Sequence, residues 1–222
     1  MSDLAVVGAP EDLGLAALEP HGDAAGARVV VSLREGGAPD ALSVALPGGE
    51  RRLIAPAGDG VWRLGAWPAA DALFELDPPA GDAGVLVAGG DPALRGECAG
   101  LLAGHDVEAE SAERLTVDGL RRAAVVVLLA EQPNLPAEAP AVLAAGRTLV
   151  TGPCELCFGL APGVEFLRAD TGEEAAQFAS IAFYERAAFD AMRVLGRLAA
   201  RPQRASAFYA RLLVDLELEG AV

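Results

Sequence analysis

The chain has 222 residues, 52% of them hydrophobic and 5% aromatic, which excludes disorder and leaves Ala, Leu and Val to build the core. Its formal net charge is -15 and all 17 basic residues are arginine. An extended nucleic-acid or anionic-lipid surface is thereby excluded, as is any mechanism that needs a Schiff-base or P-loop lysine. No apolar run reaches the ~20 residues of a bilayer span. The opening "MSDLAVVGAPEDLG" has no basic segment ahead of its apolar residues, so no signal peptide is expected. Three cysteines fit free thiols in a reducing cytoplasm, the expected location.

Residues 1–83 carry short apolar runs, "LAVVG" (4–8), "RVVVSL" (28–33), "LSVAL" (42–46), "RRLIAP" (51–56) and "ALFEL" (72–76), separated by Gly, Pro and Asp. This texture predicts a small strand-rich region. "PEDLGLAALE" (10–19) is its one helix candidate, weakened by Gly14. "LDPPAGDAG" (76–84) breaks regular structure and marks a boundary between residues 1–83 and 84–222.

From residue 84 the pattern alternates. "GVLVAGG" (84–90) predicts a buried strand, followed by a helix over 91–104 with Asp91 as N-cap and Pro92 in its first turn. Leu94, Cys98, Leu101 and Leu102 line one face of that helix. "DVEAE" (106–110) predicts a strand, "TVDGLRRA" (116–123) a short helix and "AVVVLLA" (124–130) the strongest buried strand. "AEAPAVLAAG" (137–146) predicts a helix stopped by Gly146, then "TLVTG" (148–152) and "VEFLRA" (164–169) strands. Thr171 and Glu174 form a capping box ahead of the stripe Ala175, Phe178, Ala179, Ala182 and Phe183. Two more helices are predicted, Glu185 to Ala200 and about Arg204 to Glu219, the last with Phe208, Tyr209, Leu212, Leu213 and Leu216 on one side. Alternating strands and helices imply an α/β, Rossmann-like parallel sheet flanked by helices, with ligands at the carboxyl ends of its strands. Those ends are "GGD" (89–91), "AEQPNLP" (130–136) and "GPCELCFGL" (152–160).

The chemical signals there are sparse. Gly89 and Gly90 after a strand and before a helix can admit a phosphate against free N–H groups, and a tight strand-to-helix turn explains them equally. Cys154 and Cys157 make a C-x-x-C without the second pair a structural zinc needs. Cys98 falls on an apolar helix face, His21 in a polar loop and His105 at a helix end, so no metal or cofactor is expected. A thioredoxin-like pair would start a helix at its first cysteine. Here Gly159 and Pro162 follow instead, which favours small residues filling a loop. No nucleophile motif such as G-x-S-x-G is present, and the catalytic residues stay unassigned.

Four passages taken in order carry a resemblance: "VLVAGGDPALR", "ERLTVDGLRRAAVVVLLAE" (113–131), "AVLAAGRTLVTGPCELCFGLAPGVEFLRADTGEEAAQFAS" (141–180) and "RASAFYARLLVDL" (204–216). Together, over about residues 84–218, they resemble the donor-binding, C-terminal half of GT-B-type bacterial group 1 glycosyltransferases. The resemblance implies sugar transfer from a nucleotide-sugar donor. It sets the N–H groups of Gly89, Gly90 and Gly152 toward a diphosphate, with Asp91 and Glu155 on the same edge. Glu131 or Glu138 would meet ribose or sugar hydroxyls, and Arg95 or Arg147 the negative charge. The departures imply the alternative, a non-catalytic relative that binds or scaffolds. The family's paired glutamates would fall at Pro133 and Ala141, and lysine is absent. Residues 1–83 are short for the usual acceptor-binding half, itself Rossmann-like, and would be a truncated acceptor-side domain. Redox use of Cys154 and Cys157 is the second alternative.

Overall fold

A computed structural model of the chain describes residues 4–7, 29–32, 42–45, 54–58, 61–64, 68–90, 92–129, 135–136, 138–154, 157 and 159–218. The helix expected over 10–19 and His21 lie outside the described residues, as do Asp91, Glu131 and Glu155.

Two sheets are present. The first contains β1 (Leu4–Val7), β2 (Val29–Ser32), β3 (Leu42–Ala45), β4 (Ile54–Gly58) and β5 (Val61–Leu64) in the order β1-β2-β3-β5-β4. Its neighbours pair parallel except β4, which runs antiparallel to β5 at the edge. Four of these strands overlap the apolar runs read from the sequence, while β5, "VWRL", was not anticipated.

The second sheet contains β6 (Gly84–Ala88), β7 (Ala109–Ala112), β8 (Ala123–Leu128), β9 (Thr148–Thr151) and β10 (Leu167–Arg168), all parallel, in the order β10-β9-β8-β6-β7. Its helices are α1 (Pro92–Ala103), α2 (Val117–Arg122), α3 (Ala139–Ala144), α4 (Gly172–Tyr184), α5 (Asp190–Ala200) and α6 (Ala205–Leu218). The sheet is buried on both faces, as parallel sheets require. Alternate residues of β6 and β8 supply two cores: Val85, Val87, Val125 and Val127 pack with Cys98 and Leu102 of α1 and the alanines of α4. Leu86, Ala88, Val126 and Leu128 pack with α2, α3 and Phe208, Leu212 and Leu216 of α6. This is the Rossmann-like α/β sheet flanked by helices that the alternating pattern implied.

Several expected elements are corrected, each by a competing local bond. "ALFEL" is a 3-10 helix, Asp71–Glu75, because Leu73 N and Leu76 N donate to Ala70 O and Leu73 O and Arg197 donates to the carbonyls of Phe74 and Leu76. A strand there would need those groups for its ladder. β7 starts at Ala109 because the chain leaving α1 folds back, with His105 N and Val107 N donating to Leu102 O and Asp106 at φ 59°. β10 keeps two residues because a turn takes Gly163–Phe166, where Gly163 N donates to Phe166 O at 2.7 Å. The helix expected from Glu185 is split: Arg186–Phe189 is 3-10 and α5 begins at Asp190. There Arg186 is drawn to the carbonyls of Ala80, Gly81 and Ala83.

The segment read as a boundary is held firmly. Arg186 binds three of its carbonyls and Arg147 donates to Asp77 O at 2.9 Å. Upstream, Ala69, Ala70, Leu73 and Leu76 belong to the core of the second sheet. Ala69 also bridges Arg204 at the start of α6, and α6 lies against β1 and β4. The last helix therefore ties the two sheets together.

Candidate functional site

The strand order fixes where a ligand crevice falls. From β6 the chain goes to β7 on one side and then to β8, β9 and β10 on the other. The topological switch point is thus between β6 and β8, and crevices in open α/β sheets open beyond the carboxyl ends at such a point. Gly89 and Gly90 follow β6, and Leu129 follows β8.

The two glycines are required by the backbone. Gly89 and Gly90 have φ of 73° and 61°, a conformation L-residues with side chains rarely adopt. A Cβ on Gly89 would sit 2.8 Å from Leu129 O, and one on Gly90 would sit 3.2 Å from the same oxygen. The close approach they permit is thus partly filled by the neighbouring strand's own continuation. Leu129 N closes the junction by donating to Ala88 O at 2.9 Å.

Arg95, on the first turns of α1, is buried at 8% exposure. Its Nη1 donates to Gly89 O at 3.1 Å and to Gly90 O at 2.7 Å. The guanidinium was expected to meet a ligand's negative charge; it clamps the glycine turn from the carbonyl side and fixes the turn ahead of α1. Sequence periodicity put Leu94 on the buried face, but Arg95 takes that place because two carbonyls are there to receive it.

Arg147 likewise has a structural post. It is 2% exposed, with Nε donating to Leu120 O at 2.7 Å and Nη1 to Asp77 O. Burial, together with the nearby Arg197 and Arg193, pushes its pKa down to about 10, which leaves it charged at neutral pH. A buried cation bonded to backbone carbonyls ties α2 and the 76–84 segment to β9.

Glu138 occupies the N-cap position of α3 without a side-chain capping bond, and burial raises its carboxyl above the ordinary value. Ala141, where the family's second glutamate would stand, is 1% exposed within the apolar core. Gly152 is half-buried after β9. Glu138 and Gly152 therefore flank the carboxyl side of β9, while Gly89, Gly90 and Arg95 gather beyond β6.

The C-x-x-C loop follows Gly152. Cys154 Sγ lies 3.6 Å from Cys157 Sγ and 3.8 Å from Thr151 Oγ1, and Cys154 O accepts from Arg168 at 3.5 Å. Both thiols are free. Burial and the neighbouring Cys154 push Cys157 up to about 11, so it is a thiol at neutral pH, the opposite of an activated nucleophile. Among the described residues no cluster of His, Cys, Asp and Glu has the makings of a metal site. A small apolar cavity of about 30 Å³, lined by Leu135, Pro140, Leu143, Leu160, Ala199, Ala200 and Gln203, sits beside this loop.

No helix among the described residues is long and apolar enough to cross a membrane. Compared with known proteins, the chain matches no family model and no curated sequence.

Proposed function

We propose that this chain is a glycosyltransferase-like protein that binds the nucleoside diphosphate of a nucleotide-sugar donor at the carboxyl edge of the second sheet, in the cytoplasm. The observation that carries the proposal is the switch point between β6 and β8, which coincides with the Gly89–Gly90 turn and the start of the twelve-residue helix α1. There the free N–H groups and dipole of the helix favour a phosphate. In this reading Gly89, Gly90, Asp91 and Gly152 present backbone to the diphosphate. Glu131 or Glu138 meets ribose or sugar hydroxyls, Glu155 stands beside them, and Arg95 holds the turn in shape. The first sheet supports the same reading. Its mostly parallel strands β1 to β5 make a second sheet of the kind the acceptor-side half of such transferases carries.

A second reading, a non-catalytic relative that binds without transferring sugar, is favoured by the burial of Ala141 in an apolar core and by the engagement of Arg147 with carbonyls. Neither position offers a polar group to a donor. A thermal-shift screen against UDP, GDP, ADP and their sugar conjugates tests the binding common to both. A ligand at ~100 times its Kd stabilises by about 2.7 kcal/mol, roughly 5 °C or more for a chain of this size. Release of nucleoside diphosphate from the sugar conjugate that binds then separates transferase from non-catalytic relative.

A further inference from the structure

A groove of about 510 Å³ lies between the 3-10 helix Asp71–Glu75 and α5, lined by Phe74, Glu75, Val194, Arg197, Leu198, Arg201 and Arg204. It shares no residue with the carboxyl edge described above. Its volume is within the range of small-molecule sites.

The lining is divided by chemistry. Val194 and Leu198 stand one turn apart on α5 and are exposed at 59% and 44%, facing Phe74 across the groove. Arg197 and Arg201, also one turn apart, run alongside them. Three guanidiniums thus border an apolar floor in a protein whose net charge is -15.

Arg197 and Arg201 keep donors for a ligand. Arg201 is exposed, and its side chain has no hydrogen bond or ion pair among the described residues. Arg197 spends Nη2 on the carbonyls of Phe74 and Leu76, leaving Nε and Nη1. Arg204 stacks over the Phe74 ring at 5.5 Å and is already paired with Glu75 and Asp71, so it adds charge at the groove's edge while the donors open to a ligand are those of Arg197 and Arg201. Arg193 and Arg197 stand close enough to Arg147 to add to the effect of burial in disfavouring its charge.

We propose that this groove binds an alkyl phosphate, its anionic head on Arg197 and Arg201 beside Arg204 and its chain along Phe74, Val194 and Leu198. Guanidinium forks match phosphate oxygens two at a time. An anionic head group is what the three guanidiniums call for, since they outnumber Glu75 and Asp71. The apolar floor selects against a bare anion, since Val194 and Leu198 gain from being covered. The ligand is a single amphiphile rather than a bilayer, because the acidic remainder of the surface is repelled by an anionic membrane.

The test is calorimetric titration of the full chain with dodecyl phosphate below its micelle concentration. The same titration is run with inorganic phosphate and with the neutral amphiphile dodecyl maltoside, and vesicles containing phosphatidic acid are assayed by sedimentation. Saturable one-to-one binding of dodecyl phosphate is expected, with inorganic phosphate at least tenfold weaker. Arg201→Ala should weaken it roughly tenfold and Val194→Ser roughly fivefold. Both positions are exposed, so unchanged melting temperatures will show that the variants are folded. Leu218→Ser, 79% exposed on α6, should bind as the parent does. Equal affinity for the neutral amphiphile, parent-like binding by both groove variants, or binding to vesicles alone would overturn the proposal.

Discussion

Gly89 and Arg95 show one residue serving another's geometry. The turn after β6 bends through two left-handed glycines, and the arginine four residues into α1 holds both of their carbonyls. Gly89→Ala brings a Cβ to 2.8 Å from a backbone oxygen at a φ of 73°, and neither atom can swing away. It should cost at least ~2 kcal/mol in urea unfolding, since the left-handed penalty alone is about 1–2 kcal/mol. Gly100→Ala is the contrast: it stands in open space within α1 and should stabilise by about 0.5–1 kcal/mol. Cys98 gives a pH test. Burial, and then the Glu97 charge, push its thiol from 9.0 up to about 11. The folded state therefore keeps a proton that the unfolded chain loses. The stability this contributes is complete below pH 9.0 and disappears as pH rises through about 11. Cys98→Ala should flatten that loss by about 2 kcal/mol when both proteins are unfolded in urea across the window under reducing conditions.

At the scale of elements, α4 was the clearest in the sequence and is bonded nearly as expected. Thr171 Oγ1 accepts from Glu174 N at 3.1 Å, and Glu174 Oε2 accepts from Asp170 N at 2.7 Å, one residue outside the usual partner. Thr171→Ala should cost about 1 kcal/mol in thermal or urea unfolding, with Glu174→Ala costing less because Asp170 N is exposed to water. β6 and β8 were equally legible as runs of small and apolar residues, and β9 as a largely β-branched run between Arg147 and Gly152; all of their residues but the half-buried Gly84 are buried. The misread strands share one cause. "ALFEL", "DVEAE" and "VEFLRA" are short runs in which hydrophobic spacing decides little, and arginines or turns from elsewhere settle the backbone. β5 was missed although Asp59 and Gly60, a turn-forming pair, separate it from β4. Of the proposed site, the glycine turn was legible, because a double glycine after a buried strand has few other uses. The roles of Arg95 and Arg147 were not, since their partners are carbonyls and carbonyls leave no mark on the sequence.

The whole molecule joins two sheets by threading its last helix back to the first. Residues 69–76 pack in the second core, Ala69 exchanges backbone bonds with Gln203 and Ala205, and α6 reaches β1 and β4. Such a tie makes the two sheets parts of one cooperative structure, so a change at the start of α6 should be felt by both. Within the part built on the second sheet, buried and half-buried arginines do the joining. Arg147, Arg186, Arg197 and Arg204 each join segments more than 20 residues apart in sequence, mostly by donating to carbonyls. The central claim is that the carboxyl edge of the second sheet holds a nucleoside diphosphate at the β6–β8 switch point. Selective 15N-glycine labelling tests it most directly, because Gly89, Gly90 and Gly152 stand on that edge. During titration with UDP, GDP and ADP, at least one nucleotide should shift the amide signals of Gly89 and Gly90 saturably, with Gly152 following the same binding curve. If all three nucleotides at millimolar concentration leave those signals in place, or move only glycines away from that edge, the claim is wrong.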